Sequence, residues 1–318
     1  MNNYFIEKIY IIQKVPFVMK SYDLIIIGAG PAGLTAGIYA TRGGLKTAIV
    51  SKDIGGTANS IAKLENWPGF SGTGAELMKK FYEHVKDYKI DTILSEVEKI
   101  EKSKDKFLVY TKKEKSESRA VIIATGRGRK KLNILGEQKF FGKGVSYCVT
   151  CDGIFFKGKT TVVIGGSDCA SISALALSEI AKKVYLVYRG EKLKCEKIIL
   201  EKLKKKKNVE IIYNAVPLQI QGKEKAEYLV IEQNRKKMGI KIDGIFVEVG
   251  SVPLVEFAKK LNLKLDKEDD IITDEEMKTS VSGIFAAGDI TNSRLKQVLT
   301  ASSQGAIAAK SAVEYLTQ

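Results

Sequence analysis

A run of β-branched and apolar residues, Tyr22 to Ile27, passes directly into Gly28-Ala29-Gly30-Pro31-Ala32-Gly33 and then into an alanine-rich stretch ending at Gly43-Gly44. Strand, tight turn and helix in that order aim a helix N-terminus, with its unpaired N–H groups, at a pyrophosphate. Gly28 permits the turn, Gly30 lets a phosphate approach the backbone, and Gly33 lets helix and strand pack closely. The whole unit returns further along, as the strand Thr160 to Ile164, the loop Gly165-Gly166-Ser167-Asp168-Cys169-Ala170 and a second alanine-rich helix. A repeated strand-turn-helix unit predicts an α/β chain with two Rossmann-like dinucleotide-binding domains. With 318 residues there is enough chain for two domains, each with its own core.

Between the loops lies Cys148-Val149-Thr150-Cys151-Asp152-Gly153. Two cysteines at this spacing can close one disulfide, and the carboxylate after the second can move a proton as the sulfurs change charge. The chemistry suggested is dithiol/disulfide exchange. The same spacing is also half of a zinc site, but the remaining cysteines, Cys169 and Cys195, stand singly and far apart. No metal is therefore expected. Four cysteines do not make a secreted disulfide framework, which points to a reducing compartment, the cytoplasm.

The net charge of +15 invites a nucleic-acid or membrane reading, but the 52 lysines and arginines are spread along the chain among 37 acids. The one dense run, Lys204 to Lys207, has no aromatics interleaved. A lysine-rich surface, with neither nucleic acid nor membrane as partner, is the expectation; such a surface still attracts anionic cofactors or an acidic protein. The apolar run Ile9 to Ile12 is too short for a membrane helix. Residues 1–19 are read as an appendage outside the chemistry.

In chain order, a second strand, Thr47 to Val50, ends where an acid usually meets the dinucleotide ribose, and Ser51 and Asp53 are the nearest candidates. Gly55-Gly56-Thr57 and Glu65-Asn66-Trp67-Pro68-Gly69 show no periodicity and read as cofactor-lining loops. Leu77, Phe81, Val85 and Tyr88 recur at helical spacing, leaving His84, the only histidine, on the opposite face. A histidine base is thus absent from the scheme, and Asp152 is the proton carrier nearest the thiols. Strands at 107–111 and 120–123 lead to Ala124-Thr125-Gly126. Arg127 to Lys131 and Gly250 to Pro253 read as two linkers.

In the second unit Ser167 crowds the approach of a phosphate, and the strand Val184 to Val187 ends at Tyr188-Arg189-Gly190. Arg189 and Lys194 are the cations placed for a ribose phosphate, so Gly165, Gly166, Ser167, Arg189 and Lys194 form the expected nicotinamide-dinucleotide site. The last strand ends in Gly288-Asp289, a carboxylate suited to sugar hydroxyls, followed by Lys296-Gln297-Val298 and a small-residue helix over 300–315.

With these pieces in order, the chain resembles the low-molecular-weight thioredoxin reductases, two-domain flavoproteins, from residue 21 to the C-terminus. The resemblance rests on the loop at 28–33, on Glu65 to Gly69, on Ala124 to Gly126, on the motif at 148–153, and on Gly283 to Asp289 with Lys296 to Val298. It implies a discontinuous FAD domain over 20–129 and 250–318 and a nicotinamide-type domain over 130–249 that carries the cysteine pair. It implies FAD lined by Gly28 to Gly33, Ser51, Lys52, Asp53, Gly55, Gly56, Thr57, Asn66, Val97, Ala124, Thr125, Gly126, Gly288, Asp289, Lys296, Gln297 and Val298. It also implies a homodimer and the reduction of a thioredoxin-like partner, with Cys151 nearer the flavin, Cys148 attacking the partner and Asp152 as acid.

The departures from the family pattern are Thr57 for a glutamine, Lys296 for an arginine, and Tyr188-Arg189-Gly190 for a His-Arg-Arg run, with Lys194 for a downstream arginine. NADPH or NADH is the implied donor, but two cations in place of three, together with Ser167, argue against NADPH. The competing readings are a related flavin dithiol oxidoreductase with another donor or with oxygen as acceptor, and a flavin-carrying interaction protein. Because the cysteines and the second loop share one domain, that domain is expected to rotate about the linkers.

Overall fold

The computed structural model describes residues 19–61, 63–255 and 260–318, so the appendage lies outside the described residues except for Met19. The chain begins with β1 (Lys20–Ala29), α1 (Pro31–Arg42), β2 (Thr47–Ile54), the hairpin β3 (Leu64–Trp67) and β4 (Phe70–Gly72), and α2 (Gly74–Asp87). It continues through β5 (Asp91–Leu94), β6 (Val97–Ser103), β7 (Lys106–Thr111), β8 (Lys115–Ile123) and β9 (Arg127–Arg129). Next come β10 (Val145–Ser146), the short α3 (Val149–Asp152), β11 (Thr160–Ile164), α4 (Asp168–Ser178), β12 (Lys183–Val187) and α5 (Lys197–Lys204). Last are β13 (Val209–Ile212), β14 (Ala215–Gln221), β15 (Tyr228–Gln233), β16 (Lys236–Lys241), β17 (Gly244–Val247), β18 (Ser251–Pro253), β19 (Ile284–Ala286) and α6 (Val298–Thr317).

The first sheet has the order β5-β2-β1-β8-β7-β6, with β19 also paired to β8. Its β5, β2, β1, β8 and β19 are parallel, and Leu24, Ile25, Ile26 and Ile27 on β1 are buried on both faces. That is why β1 reads as an unbroken apolar run rather than an alternating one. The C-terminal segment returns to this sheet by pairing Ile284 with Val121 and by laying α6 on α1. The helices come close because a Cβ at Gly305 would stand 2.1 Å from the Ala32 carbonyl oxygen, so only glycine fits there. The first domain is therefore built from both ends of the chain.

The second sheet, β10-β17-β11-β12-β13, is parallel throughout, with the antiparallel β14-β15-β16 packed against it. Each of the two main sheets carries a separate apolar cluster on either face. The helix anticipated from Leu77 onward is α2, started by a capping box in which Thr73 and Glu76 bond each other's backbone N–H. His84 is exposed, against the Tyr88 ring.

Two local readings differ from the structure. Glu65 to Gly69 belongs to the β3–β4 hairpin rather than to an irregular loop. The two linkers pair with each other as an antiparallel ribbon, Ser251 with Arg129 and Pro253 with Arg127. Neither segment alternates, and each finds its partner more than a hundred residues away, beyond the reach of any local pattern.

Candidate active site

The redox motif sits on a short segment fixed at both ends. Strand β10 is held by β17 through the pairs Val145 with Ile245 and Ser146 with Phe246. Two residues on, Cys148 caps α3, with the Cys151 N–H directed at its Sγ at 3.2 Å. Cys148 and Cys151 are joined in a disulfide, with their Cα atoms 5.3 Å apart. The Ser146 hydroxyl donates to Asp152 Oδ2 at 2.6 Å, and the Cys148 N–H donates to Ser146 Oγ at 3.0 Å. Before the motif, the Tyr147 hydroxyl donates to Glu137, a buried carboxylate that also accepts from the Leu132 and Asn133 N–H groups. Burial and the Glu137 carboxylate push the Tyr147 phenol above its ordinary range, so it stays a donor at any physiological pH. Immediately beyond the motif, Ile154 and Phe155 are 61% and 68% exposed, an apolar surface beside the sulfurs.

The first glycine loop lies at the C-terminal ends of β1 and β8, the crevice where open α/β sheets take ligands. Gly28 has φ +108°, and a Cβ there would meet the Ala124 carbonyl oxygen at 2.3 Å, so Ala124 and Thr125 pack directly on the loop. At Gly33 a Cβ would lie 1.8 Å from the Gly28 carbonyl oxygen. Gly30 instead faces open space, the nearest atom being the Gly55 carbonyl oxygen at 4.0 Å. Asp53 accepts from the Gly56 N–H, so it shapes the Gly55-Gly56 turn, while Ser51 and Lys52 precede it in the second half of β2. Thr57 is exposed.

Asn66 and Gln297, far apart in sequence, are joined by a 3.0 Å hydrogen bond. Gln297 also starts α6 at Val298. The Lys296 ammonium spends its three donors on Asp270, the Asp289 carbonyl and the Thr291 carbonyl, so it shapes the loop carrying Gly288 and Asp289. Val97 lies at the start of β6, against the core.

These residues fit a flavin dinucleotide. The Gly30 face is open, and among the described residues none donates a hydrogen bond to the half-buried Asp289 carboxylate. Burial raises the pKa of Asp289, more than Lys296 and Arg127 lower it. A carboxylate left without a partner at a strand end is an acceptor for the hydroxyls of a bound polyol chain.

The second loop differs. Gly165, at φ +152°, makes the tight turn against the Glu248 backbone. Across the groove, however, the Tyr188 ring lies over the loop. A Cβ on Gly166 would fall 2.2 Å from it and one on Gly190 2.7 Å from it. The Lys194 N–H donates to the Gly166 carbonyl, and the Glu196 N–H to Asp168, lacing the following segment onto the loop. Ser167 and Arg189 are exposed. The ring stands at the end of β12, beside which the residues that read an adenosine ribose lie in this fold, and it packs on the second glycine of the loop. A ring packed over Gly166 does not suit the close approach of a pyrophosphate to that loop.

The two halves meet around Ser60, at the end of the turn carrying Thr57. Its carbonyl accepts from Thr150 at 2.7 Å, and its hydroxyl accepts from Arg129 at 2.6 Å. Arg129 also pairs with the buried Glu248, which accepts from Ser173 as well. Burial raises the pKa of Glu248, and Arg129 opposes the shift. Lys202 on α5 bridges to Glu65 of the hairpin, and Lys202 and Lys63 together pull the Glu65 carboxyl down to about 2. On the facing side Cys169 is exposed, although desolvation by the protein around it and then the Glu248 charge raise the pKa of its thiol, and the field of Asp289 adds to the effect. The redox helix and the second loop thus both abut the first domain.

Sequence reading passed over Ser60, Arg129, Glu137, Ser146 and Glu248. Ser146, two residues from Cys148, was open to inspection, and the partners of Glu137 lie within ten residues of it; Ser60, Arg129 and Glu248 act through partners distant in sequence.

The family model for pyridine nucleotide-disulphide oxidoreductases matches residues 22–305, and the chain belongs to that family. Within it the chain falls among the low-molecular-weight thioredoxin reductases. It is 38% identical to the thioredoxin reductase of Bacillus subtilis over 94% of this chain and 96% of that one. A crystal structure of Lactococcus lactis thioredoxin reductase in the FR conformation matches with TM-score 0.90 at 35% identity, covering 93% of this chain and 99% of that one. The thioredoxin reductase of Streptococcus pyogenes matches with TM-score 0.62 at 38% identity, covering 93% and 98% of the two chains. The protein is an oxidoreductase acting on a sulfur group, and its family implies a flavin and a nicotinamide cofactor.

Proposed function

We propose that this chain is a FAD-dependent disulfide reductase whose Cys148–Cys151 pair delivers two electrons to a thioredoxin-like protein. One observation carries the reading: the disulfide sits on a helix docked through Thr150 to Ser60 of the flavin-side turn, with Ile154 and Phe155 exposed beside it. FAD would be held by the Gly28 to Gly33 loop, the Gly55-Gly56 turn and Ala124 to Gly126, with Asp289 accepting from its polyol chain; when bound, it supplies the electron pair.

The chain's own residues do the rest. Opening the Cys148–Cys151 bond with two electrons leaves two thiolates, and Asp152 carries protons between solvent and the sulfurs. Cys148, as thiolate, attacks one sulfur of the partner's disulfide, and the other partner sulfur leaves as a thiolate. Cys151 then attacks Cys148, re-forming the internal bond and releasing the partner's second sulfur. Ile154 and Phe155 give the visiting protein an apolar seat.

We place the flavin domain at 20–129 and 250–318 and the second domain at 130–249, turning about the β9–β18 ribbon. The TM-scores support two orientations, since two relatives of similar identity and coverage superpose on this chain so differently. A homodimer in the cytoplasm follows from the resemblance; among the described residues no helix is long and apolar enough to cross a membrane.

The position of Tyr188 favours a second reading of the donor: the flavin is reduced by something other than NADPH. Anaerobic titration of the holoenzyme with NADPH and NADH, followed by flavin bleaching, decides the matter. Slow bleaching that does not saturate is the expected outcome; stoichiometric bleaching by micromolar NADPH would make NADPH the donor.

A further inference from the structure

Ser146 stands at the join between a fixed strand and the redox helix, and no step above uses it. Its side chain is 5% exposed, and its backbone is locked in the β10–β17 ladder opposite Phe246. The hydroxyl has one proton to give, and the shorter contact, 2.6 Å to Asp152 Oδ2, takes it over the 3.4 Å contact to the Cys148 carbonyl. Its lone pairs receive the Cys148 N–H at 3.0 Å. One buried hydroxyl therefore ties the carboxylate that follows the second cysteine to the backbone of the first. The Asp152 N–H, bonded to the Cys148 carbonyl at 3.1 Å, closes the loop from the other side.

We propose that Ser146 is a positioning residue for proton transfer: it holds Asp152 through Oδ2, leaving Oδ1 to exchange protons with the sulfurs. The inference rests on the reading of Asp152 as proton carrier. An aspartate has two freely turning side-chain torsions, and a charge-assisted bond of this length to a fixed hydroxyl restricts both. A hydroxyl serving only the helix start would need its bond from the Cys148 N–H and nothing more. The second bond, to the carboxylate, is what the chemistry uses.

The test is a double-mutant cycle on the holoenzyme, using reduction of a thioredoxin disulfide by enzyme that has been chemically pre-reduced or is turning over with a chemical donor. Ser146→Ala is expected to lower kcat about tenfold with KM for the protein substrate unchanged, because partner docking through Ile154 and Phe155 is untouched. Ser146→Thr, which keeps the hydroxyl, restores most of the loss. In an Asp152→Asn background, Ser146→Ala has no further effect on kcat, because the group it positions no longer carries a proton.

An equal loss from Ser146→Ala in both backgrounds would overturn the proposal while leaving the Asp152 reading intact. An Asp152→Asn variant with full activity would instead overturn the Asp152 reading, and with it this inference. Should Ser146→Ala fail to fold, the threonine variant still decides: with the hydroxyl kept and the fold intact, a kcat loss as large as that of Asp152→Asn contradicts the assignment.

Discussion

Cys148→Ser is expected to lower reduction of a thioredoxin disulfide by roughly a thousandfold or more, because residues that act as a unit lose nearly everything when one is removed. Flavin content should not change: the loops read as the flavin cradle lie in the other domain, and Cys148 contacts only its own segment. The same variant should still pass electrons from a chemical reductant to its flavin, which separates loss of the sulfur relay from loss of the cofactor. The bland alternative, a structural cysteine, predicts a change in thermal stability with turnover retained. Stability is the smaller effect here, since the closed loop is very short and constrains little of the unfolded chain.

The second large effect concerns movement. In a protein with Cys169 and Cys195 changed to serine, Ser60→Cys and Thr150→Cys can be joined by a short bis-maleimide while the native disulfide is closed. The Thr150 hydroxyl and the Ser60 carbonyl are 2.7 Å apart in this orientation, so the tether holds the contact already seen. Turnover with the protein substrate should fall about a hundredfold or more, since a pair kept against the first domain cannot reach its partner. The doubly substituted protein without the tether loses the Thr150 hydroxyl's bond and the Arg129 bond to the Ser60 hydroxyl, so it is the reference against which the tethered protein's fall is read. Undiminished turnover in the tethered protein would remove the rotation from the account.

How much of this was legible follows from the range of each signal. The β1–loop–α1 unit and its repeat at β11–loop–α4 stood out because strand, turn and helix are contiguous and each glycine has a local duty. The Cys148-to-Gly153 motif was legible for the same reason. The ribbon joining Arg127–Arg129 to Ser251–Pro253 was not, because its pairing energy comes from a strand that local composition does not mention. Lys296 was placed at the cofactor, yet the structure shows its ammonium consumed by Asp270 and two carbonyls, which only the folded loop brings together. At the second loop the reading went partway: the missing cations at 188–194 were visible, but that the Tyr188 ring fills the space over Gly166 required the fold. Ser60, with Thr150 and Arg129 converging on it from segments far along the chain, belongs wholly to tertiary structure.

The central claim is that Cys148 is the sulfur that meets the visiting protein, with Cys151 left to resolve the link. Reduced Cys151→Ser enzyme mixed with oxidised thioredoxin tests it directly, because the attack can proceed but the release cannot. The account predicts a one-to-one covalent adduct, cleaved by dithiothreitol and mapped by peptide mass to Cys148. No adduct, or one joined through Cys169 or Cys195, would contradict it.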